Sequence, residues 1–541
     1  MVDSGRLREL YRTVQHSGRL LIHLEDVDPH TLHLVTSALH YETGKRLLVV
    51  VPDEEQADTL VSNLRVLFGQ ENEWGPVVHL PTWFVSPYIP VSADRRRQLQ
   101  ALGVWSHVGW GKAKVVVCSP APLLWRIPDP EAVSTHTTLL ETGEEVDREA
   151  FIRSLSDRGY TRVNVVVEEG TFAVRGSLLD IFSPGEDWPI RVDFFGDDVE
   201  AIALFDPNTQ LSKERLSTAL VAPASPVLEQ AQMLQKARPS LVELSGKLHI
   251  PSSRLTGVLD QLRDEELPIG MDALLPLLTD APKALHGYLD PKEWAVFFSD
   301  KARIDSTIAK IRESERDRYH AAATQGRLVL SPEELMMSQE DAESSLARFT
   351  QLNTGVLDTD AGVRFSFDLR RPVEELEGTG NRIGAFQSQA RERLKAGYRV
   401  VLTSPDAKEA QRLATQIVEG GLSCRIFKGL PTYPQLVRKN RFVGVEMFIA
   451  PLHRGFHSPH QGLYLVTGDE LYVRRARRTR KDSEGVSDRE RLLELKEGDY
   501  VVHKEYGIGQ FQGVARRTLG TAEYMSLVIT YANSDTLYVP V

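Results

Sequence analysis

Residues 168–182 read EEGTFAVRGSLLDIF, and residues 189–210 read PIRVDFFGDDVEAIALFDPNTQ. In both stretches apolar residues alternate with polar ones or form short apolar runs, as at 178–182 and 190–195. Such patterns are typical of short antiparallel strands. Gly196, Asp197 and Asp198 separate two of the runs, and glycine and aspartate tolerate the backbone angles of a tight turn. The sequence therefore predicts a β meander with a hairpin at 196–198.

Two arginines, Arg175 and Arg191, stand among the strand residues of this meander. A guanidinium on a sheet offers planar, bidentate recognition that a solvated lysine does not. The residues alone leave three interpretations open: a recognition surface, a solvated face, or an internal ion pair.

The first 140 residues alternate between apolar strands and helical segments. The strands are LLIHL (20–24), RLLVVV (46–51), VVHLP (77–81) and KVVVCS (114–119), and continuous apolar strands of this kind predict a parallel sheet with both faces covered. A nucleotide-hydrolysing version of this fold has a glycine-rich loop ending in GK[ST] after its first strand. Here LEDVDPHTLHL (24–34) follows instead, and Asp26 and Asp28 would repel a triphosphate. The sequence predicts no nucleotide site.

Three further regions follow the meander. Residues 212–348 carry mainly helical patterns, residues 362–472 alternate helices and strands, and residues 495–541 show four strand patterns around 500–503, 510–516, 523–531 and 536–539. His453, His457 and His460 have loose metal-ligand spacing, but no cysteine or carboxylate joins them, and we interpret them as loop histidines.

Composition bounds the class of protein. A chain of 541 residues that is 41% hydrophobic has the length of several domains. Its two cysteines, Cys118 and Cys424, lie far apart, which predicts a reducing, cytoplasmic location without a disulfide framework. No stretch reaches the roughly 18 apolar residues of a membrane span. The net charge of −11 argues against a protein that coats DNA over its whole surface.

One short run departs from that charge balance. Six cations fall within eight residues, namely Arg474, Arg475, Arg477, Arg478, Arg480 and Lys481. The run is either a solvated interdomain linker or a strip that contacts DNA phosphates, and the sequence leaves both open.

The order VRGSLLDIF, PIRVDFF, GDDVEAI and FDPNTQ resembles the damage-recognition module shared by the excinuclease subunit UvrB and bacterial transcription-repair coupling factors. LPTWFVSPYIPVSADRRRQLQAL (80–102) is similar to the first domain of both families. The last 47 residues resemble the Tudor-like, RNA-polymerase-interacting domain that coupling factors share with the CarD family.

This resemblance implies a multidomain α/β protein. The expected units are a degenerate UvrB-like, helicase-type domain 1a without a Walker loop (1–146), a β-rich, UvrA-binding domain 2 (147–211) and a helical domain 1b that completes domain 1 (212–348). After them come a small α/β domain 3 (362–472), a basic and acidic linker (473–494) and a truncated Tudor-like all-β domain (495–541).

The resemblance also implies partners and site residues. UvrA would bind Arg175, Arg191 and Phe195. The β subunit of RNA polymerase would add a strand along 524–529, contacting Tyr524, Met525, Leu527 and Ile529, although three of these share a face by period two and are equally consistent with barrel core.

Full-length coupling factors are ATP-dependent DNA translocases, with ATP and Mg²⁺ in motor domains outside this sequence. We therefore expect an adaptor without catalytic residues, metal or cofactor, which meets DNA only in the full-length assembly and no membrane. The alternatives are a UvrB-like damage-loading enzyme and a CarD-like polymerase-binding regulator.

Overall fold

The structure is a computed structural model. It describes residues 4–16, 20–25, 27–82, 86–89, 95–128, 130–228, 230–264, 272–279, 282–355, 363–367, 369–376, 381–438, 443–472, 498–503, 507–519, 522–531 and 536–540. Within these ranges it contains a seven-stranded, a six-stranded, a two-stranded, a five-stranded and a four-stranded sheet. The chain is thus a multidomain α/β protein.

The first α/β unit begins with alternating helices and strands, as the sequence predicts. Its first elements are α1 (Ser4–His16), β1 (Leu21–Glu25), α2 (Leu32–Thr43), β2 (Arg46–Val50), α3 (Glu54–Phe68), β3 (Val77–Leu80), α4 (Arg95–Gly109), β4 (Val115–Cys118), a 3-10 turn (Ala121–Leu123) and α5 (Pro130–Thr135).

The β-rich region follows. Its elements are β5 (Thr138–Glu141), α6 (Arg148–Asp157), β6 (Thr161–Arg162), β7 (Thr171–Arg175), β8 (Leu178–Phe182), β9 (Ile190–Phe195), β10 (Asp198–Phe205), β11 (Ser212–Leu216) and β12 (Thr218–Val221). Strands β6 to β11 lie in chain order in one sheet, antiparallel from β7 onward, and this sheet is the predicted meander. Strand β12 pairs with β5.

The meander therefore extends beyond the predicted boundary at residue 211. Strand β11 reads SKERL, and four of its five residues are exposed. An edge strand of this kind has no apolar alternation to reveal it. Strand β5, which lies before residue 147, also belongs with this region through its partner β12.

The next stretch completes the first unit. It contains α7 (Gln230–Lys247), α8 (Ser252–Asp264), 3-10 turns (Asp272–Leu277 and Leu285–Tyr288), β13 (Trp294–Phe298), α9 (Lys301–Thr324), α10 (Pro332–Leu335), α11 (Gln339–Leu346), β14 (Thr350–Asn353) and β15 (Val363–Ser366).

Three strands of this stretch enter the first sheet, whose parallel order is β15-β1-β14-β13-β2-β4-β3. The prediction of a helical 212–348 region omitted β13, although its sequence WAVFF is buried at all five positions, as a central parallel strand should be. Strand β15 belongs to this sheet and not to the second α/β unit, within whose predicted range it falls, because it pairs with β1.

The second α/β unit comprises α12 (Pro372–Leu376), α13 (Arg382–Lys395), β16 (Arg399–Ser404), α14 (Ala407–Glu419), β17 (Cys424–Lys428), α15 (Tyr433–Leu436), β18 (Val445–Ile449), β19 (Phe456–Ser458), β20 (Leu463–Thr467) and α16 (Gly468–Leu471). Its sheet has the order β17-β18-β16-β20-β19, in which β19 is antiparallel. His457 is buried within β19 and is not a loop residue as interpreted from the sequence.

The second unit packs firmly on the first. Tyr433 stacks on Tyr41 of α2 with ring centroids 5.7 Å apart, and the backbone N–H of His453 donates to Oδ1 of Asn63 at 3.0 Å. Phe456 and Leu465 lie in the same apolar cluster as the residues of α2. The two units therefore share buried surface.

The last sheet is a meander of β21 (Tyr500–His503), β22 (Gly507–Leu519), β23 (Ala522–Thr530) and β24 (Thr536–Pro540), close to the predicted strands. Phe511 and Ile529 are its buried apolar residues. Among the helices of the described ranges, none combines the length and the apolar character that a bilayer crossing requires.

The first meander is joined to the first α/β unit by a very close backbone contact between Gly103 of α4 and Gly185, in the β8–β9 connection. A Cβ atom on Gly103 would lie 2.6 Å from the Cα atom of Gly185. Beside this contact His107 Nε2 lies 2.7 Å from the carbonyl oxygen of Gly185, and Oδ1 of Asp187 accepts from the backbone N–H of Glu73 at 2.9 Å. The joint is backbone on backbone and leaves no room for a side chain.

We expect Gly103→Ala to lower the free energy of unfolding by about 1–3 kcal/mol, because neither backbone can move aside without disturbing the core. The control is Gly109→Ala at the end of the same helix, where an added Cβ meets nothing within 4 Å. The control should be neutral or slightly stabilising. Denaturant unfolding of both variants measures the difference, and equal stability of the two would contradict the tight joint.

Candidate protein-docking surface

The two faces of the meander differ sharply. Its inner face consists of apolar residues that are almost fully buried in the main core, among them Phe172, Leu179, Val192, Phe194 and Val199. On β9 burial alternates strictly, so that Arg191, Asp193 and Phe195 point to the opposite, outward face. The outward face is where a partner can reach the sheet.

The strand register places Arg175, Arg191 and Phe195 on this outward face together. Arg175 pairs with Leu178, and Leu178 pairs with Asp193 of β9. Arg175 thus lies two strands, or about 10 Å, from Asp193. Arg191 and Phe195 flank Asp193 at two residues on either side. The structure therefore brings together the three residues that the resemblance selected.

Phe195 and Arg175 are accessible. Phe195 is 76% exposed at the end of β9, next to the turn at Gly196, where Asp198 pairs back with it. Arg175 is exposed, and its Nη2 donates to the carbonyl oxygen of Asn164 at 3.0 Å. Within the described ranges no carboxylate neutralises Arg175. An exposed aromatic ring and a guanidinium without a carboxylate partner, on one face of a sheet, have the composition of a protein-interaction hot spot.

Arg191 has a different environment. Its Nε and Nη2 atoms donate to the two carboxylate oxygens of Asp180 at 2.7 and 2.8 Å, and its guanidinium lies 4.6 Å from the ring centroid of Phe205. The Asp180 carboxylate raises the pKa of Arg191 above its usual value. Asp180 itself is 1% exposed. The structure thus shows the internal ion pair that the sequence left open, while a direct contact between Arg191 and a partner stays a prediction.

We expect Arg191→Ala to destabilise the meander by about 3 kcal/mol, because it leaves the buried Asp180 carboxylate without its partner. Arg175→Ala, on the same face but exposed, should change stability by no more than about 0.5 kcal/mol. Denaturant unfolding distinguishes the two. Equal, small effects would mean that Asp180 finds another partner or takes up a proton.

The predicted polymerase-binding residues fall on β23. This strand lies between β22 and β24, with Leu527 paired to both Val514 and Val539 and Ile529 paired to both Phe511 and Leu537. The prediction that Leu527 and Ile529 form a sheet edge is therefore wrong, because β24 covers them and Ile529 is buried.

Residues Tyr524 and Met525 have a different position along the same strand. The pairing of β23 with β24 runs from Ser526 to Thr530, whereas residues 522–525 pair with β22 alone. On the β24 side of 522–525 the described part of the chain supplies no partner strand. The described pairing with β24 ends at Pro540, opposite Ser526, and the polymerase contact of Tyr524 and Met525 stays a prediction.

Near the start of α2, where a phosphate loop would lie, the chain places a carboxylate of its own. Oδ1 of Asp28 accepts from the backbone N–H of His30 at 2.8 Å, and its Oδ2 lies 3.4 Å from Nε of Arg371 in the second α/β unit. Helix N-termini attract anions. The Asp28 carboxylate lies in the turn that leads into this terminus.

The basic run at 474–481 lies outside the described residues, so its contact with DNA stays a prediction. Within the described ranges no three histidine, cysteine or acidic side chains converge on a point that a metal ion could occupy. The sequence reasoning missed the residues that support the docking surface, Asp180 and Gln210. Asp180 could have been noticed as a lone acid within the apolar run LLDIF.

Two regions of the chain match known domain families. Residues 139–226 match the family described as the UvrB interaction domain, and residues 495–541 match the family described as the CarD-like/TRCF RID domain. The first match spans β5 to β12 and includes β11, which the predicted boundary had cut off. These matches define the chain as one that carries two interaction domains on an α/β framework.

Comparison along most of the chain shows similarity to transcription-repair-coupling factors. The chain is 28% identical over 523 residues to the transcription-repair-coupling factor of Myxococcus xanthus, an alignment that covers 94% of this chain and 44% of that relative. It is 24% identical over 507 residues to the coupling factor of Escherichia coli and 23% identical over 533 residues to that of Bacillus subtilis. The resemblance to coupling factors is confirmed, and the chain spans less than half the length of the curated relatives that it matches.

Proposed function

We propose that this chain is the N-terminal adaptor portion of a transcription-repair coupling factor. It recruits UvrA through the outward face of the meander and contacts the β subunit of RNA polymerase through the last sheet. The observation that carries the proposal is that the 76% exposed Phe195 and Arg175, which pairs with no carboxylate of the described residues, lie on the same outward face. The finer identities of the domains, a degenerate UvrB-like domain 1 and a Tudor-like last sheet, belong to this proposal.

The alternatives make different demands on the chain. A UvrB-like damage-loading enzyme needs bound ATP, and a CarD-like regulator needs only the last sheet. In the proposal this chain uses no cofactor and works in the cytoplasm, whereas ATP, Mg²⁺ and DNA translocation belong to the motor domains of the full-length protein. DNA contact by the basic run is part of the full-length assembly.

Binding of UvrA should depend on the exposed pair. Arg175→Glu and Phe195→Ala should each weaken capture of purified UvrA by roughly tenfold or more, because an anchor ring or its neighbouring charge is lost at the centre of the contact. Calorimetry or surface plasmon resonance with the full 541-residue chain measures the affinity.

Capture of the polymerase β subunit provides the internal control, since that site lies on a different sheet. Both variants should bind polymerase normally and keep the parental unfolding temperature, because both residues are exposed. Unchanged UvrA binding in both variants would contradict the proposal. The arginine to avoid in this test is Arg191, whose loss disturbs the fold.

Nucleotide binding should be absent. Asp28 places a carboxylate in the turn before α2, where Arg371 also contacts it, and a triphosphate there would meet like charge. Equilibrium dialysis with ATP and Mg²⁺ should show no saturable site, and a phosphate-release assay should show no turnover with or without DNA. Stoichiometric ATP binding would favour the UvrB-like enzyme.

Binding of polymerase should depend on β23. We propose that a strand of the β subunit adds to the last sheet and contacts Tyr524 and Met525. Met525→Arg should weaken capture of the β subunit by roughly tenfold, because a charge is added beside the incoming strand. Leu527→Arg is the contrasting variant. It should lower the unfolding temperature as well, since Leu527 is half-buried between two strands.

A further inference from the structure

A six-residue segment, the valine loop (residues 163–168), folds over part of the outward face of the meander. Val166, at its centre, is fully buried against Ala173 and Phe205, and Val163 and Phe182 pack beside it. Ala173 and Phe205 belong to the outward face, because their strand neighbours point into the main core. The valine loop therefore covers one end of the sheet and leaves the other end, with Phe195, open.

The valine loop is held in place by Gln210. The side chain of Gln210 donates from Nε2 to the carbonyl oxygens of Val166 at 3.1 Å and Pro207 at 2.7 Å. The backbone of Gln210 has a φ of 61°, a conformation that residues other than glycine rarely adopt. Arg191 adds a hydrogen bond from Nη1 to the carbonyl oxygen of Gln210 at 3.3 Å. The Arg191–Asp180 ion pair, the strained turn and the valine loop thus form one connected support.

This support presents three apolar side chains to solvent. Val165 and Val167, on either side of the buried Val166, are each 48% exposed, and Leu211, next to Gln210, is 70% exposed. A single exposed apolar residue is ordinary. Three of them on a loop and a turn that are hydrogen-bonded together form a patch that a partner can cover.

The patch is continuous with the surface around Phe195. Arg175 donates to the carbonyl oxygen of Asn164, within the valine loop itself. Along β9, the four residues from Arg191, beside the loop, to Phe195 span about 13 Å. Between the valine loop and Phe195, the outward face carries the partly exposed Leu178 and Asp193. The outward face thus carries Phe195 toward one end, the valine loop over the other end and Arg175 next to the loop.

We propose that the valine loop is the second part of the UvrA-binding surface, so that a segment of UvrA places a carboxylate on Arg175 and packs apolar side chains against Val165, Val167 and Leu211. This inference rests on the proposed function. Two features point to this occupant. Arg175 carries a guanidinium that no carboxylate of the described residues pairs with, which favours one acidic side chain opposite it, while Asp193 and the exposed Glu168 disfavour a longer acidic run. The patch is hydrogen-bonded to that same guanidinium through the carbonyl oxygen of Asn164.

The test is a pair of opposite substitutions in the full chain. Val165→Ser with Val167→Ser should weaken binding of purified UvrA by roughly tenfold, because the apolar surface is lost. Val165→Leu with Val167→Leu should strengthen it several-fold, a gain that a purely structural role of the loop would not produce. The matched control is Val242→Ser with Val418→Ser, two valines that are 52% and 55% exposed on α7 and α14.

Leu211→Ser gives an independent variant outside the valine loop, and it should weaken UvrA binding by a few-fold. Unfolding temperatures close to that of the parent chain show that the fold is kept. Unchanged affinity in the serine and leucine variants, together with lost binding in Phe195→Ala, overturns the inference and leaves the proposed function standing. Unchanged affinity in Phe195→Ala as well overturns both. A change in self-association at unchanged UvrA affinity, seen by sedimentation, overturns the inference in favour of a second copy of the chain.

Discussion

One apolar core joins the inner face of the meander to the seven-stranded sheet, and the contact between Gly103 and Gly185 sets how closely the two approach. Phe172, Val192 and Phe194 from the meander lie in the same cluster as Trp105 of α4 and Trp294 of β13. Because the inner face is buried in this way, the outward face has a fixed direction relative to the whole first unit. The accessibility of Phe195 and Arg175 follows from that orientation.

Successive residues of β9 serve different faces of the sheet. Ile190, Val192 and Phe194 supply the core, while Arg191, Asp193 and Phe195 face outward. Within the outward set there is a second division. Arg191 is used to neutralise Asp180 and to support the turn at Gln210, and Phe195 is left for contact. Arg175 and Arg191 look equivalent in the sequence but differ in the structure. Arg191 stabilises the surface from within, and Arg175 is exposed on it.

The strands that could be predicted were those whose burial, on one face or on both, leaves a pattern of apolar residues in the sequence. The alternation in β7 to β10 and the continuous apolar runs of β2 and β4 were sufficient to predict the meander and the parallel sheet. Strand β11 could not be found in this way, because its SKERL sequence is exposed on both sides. Strand β13 carried a strong signal but stood among helices and was passed over.

The candidate site was predictable in part. Period two placed Arg191 and Phe195 on one face, and only the register of three strands could show that Arg175 joins them. The ion pair of Arg191 depends on Asp180, eleven positions earlier in the chain, and the periodicity of one strand does not reveal such a contact. The prediction of a sheet edge at Leu527 and Ile529 was wrong because their pairing partner β24 comes later in the chain, and the pattern of β23 alone does not show it.

The carboxylate of Asp28 links two parts of the chain. It accepts from the N–H of His30 in the turn before α2 and also contacts Arg371 of the second unit. A single substitution that removed this carboxylate to admit a phosphate would weaken the joint between the units at the same time. Such coupling means that one side chain serves two surfaces, so a change at position 28 would be felt both in the turn before α2 and at the contact with the second unit.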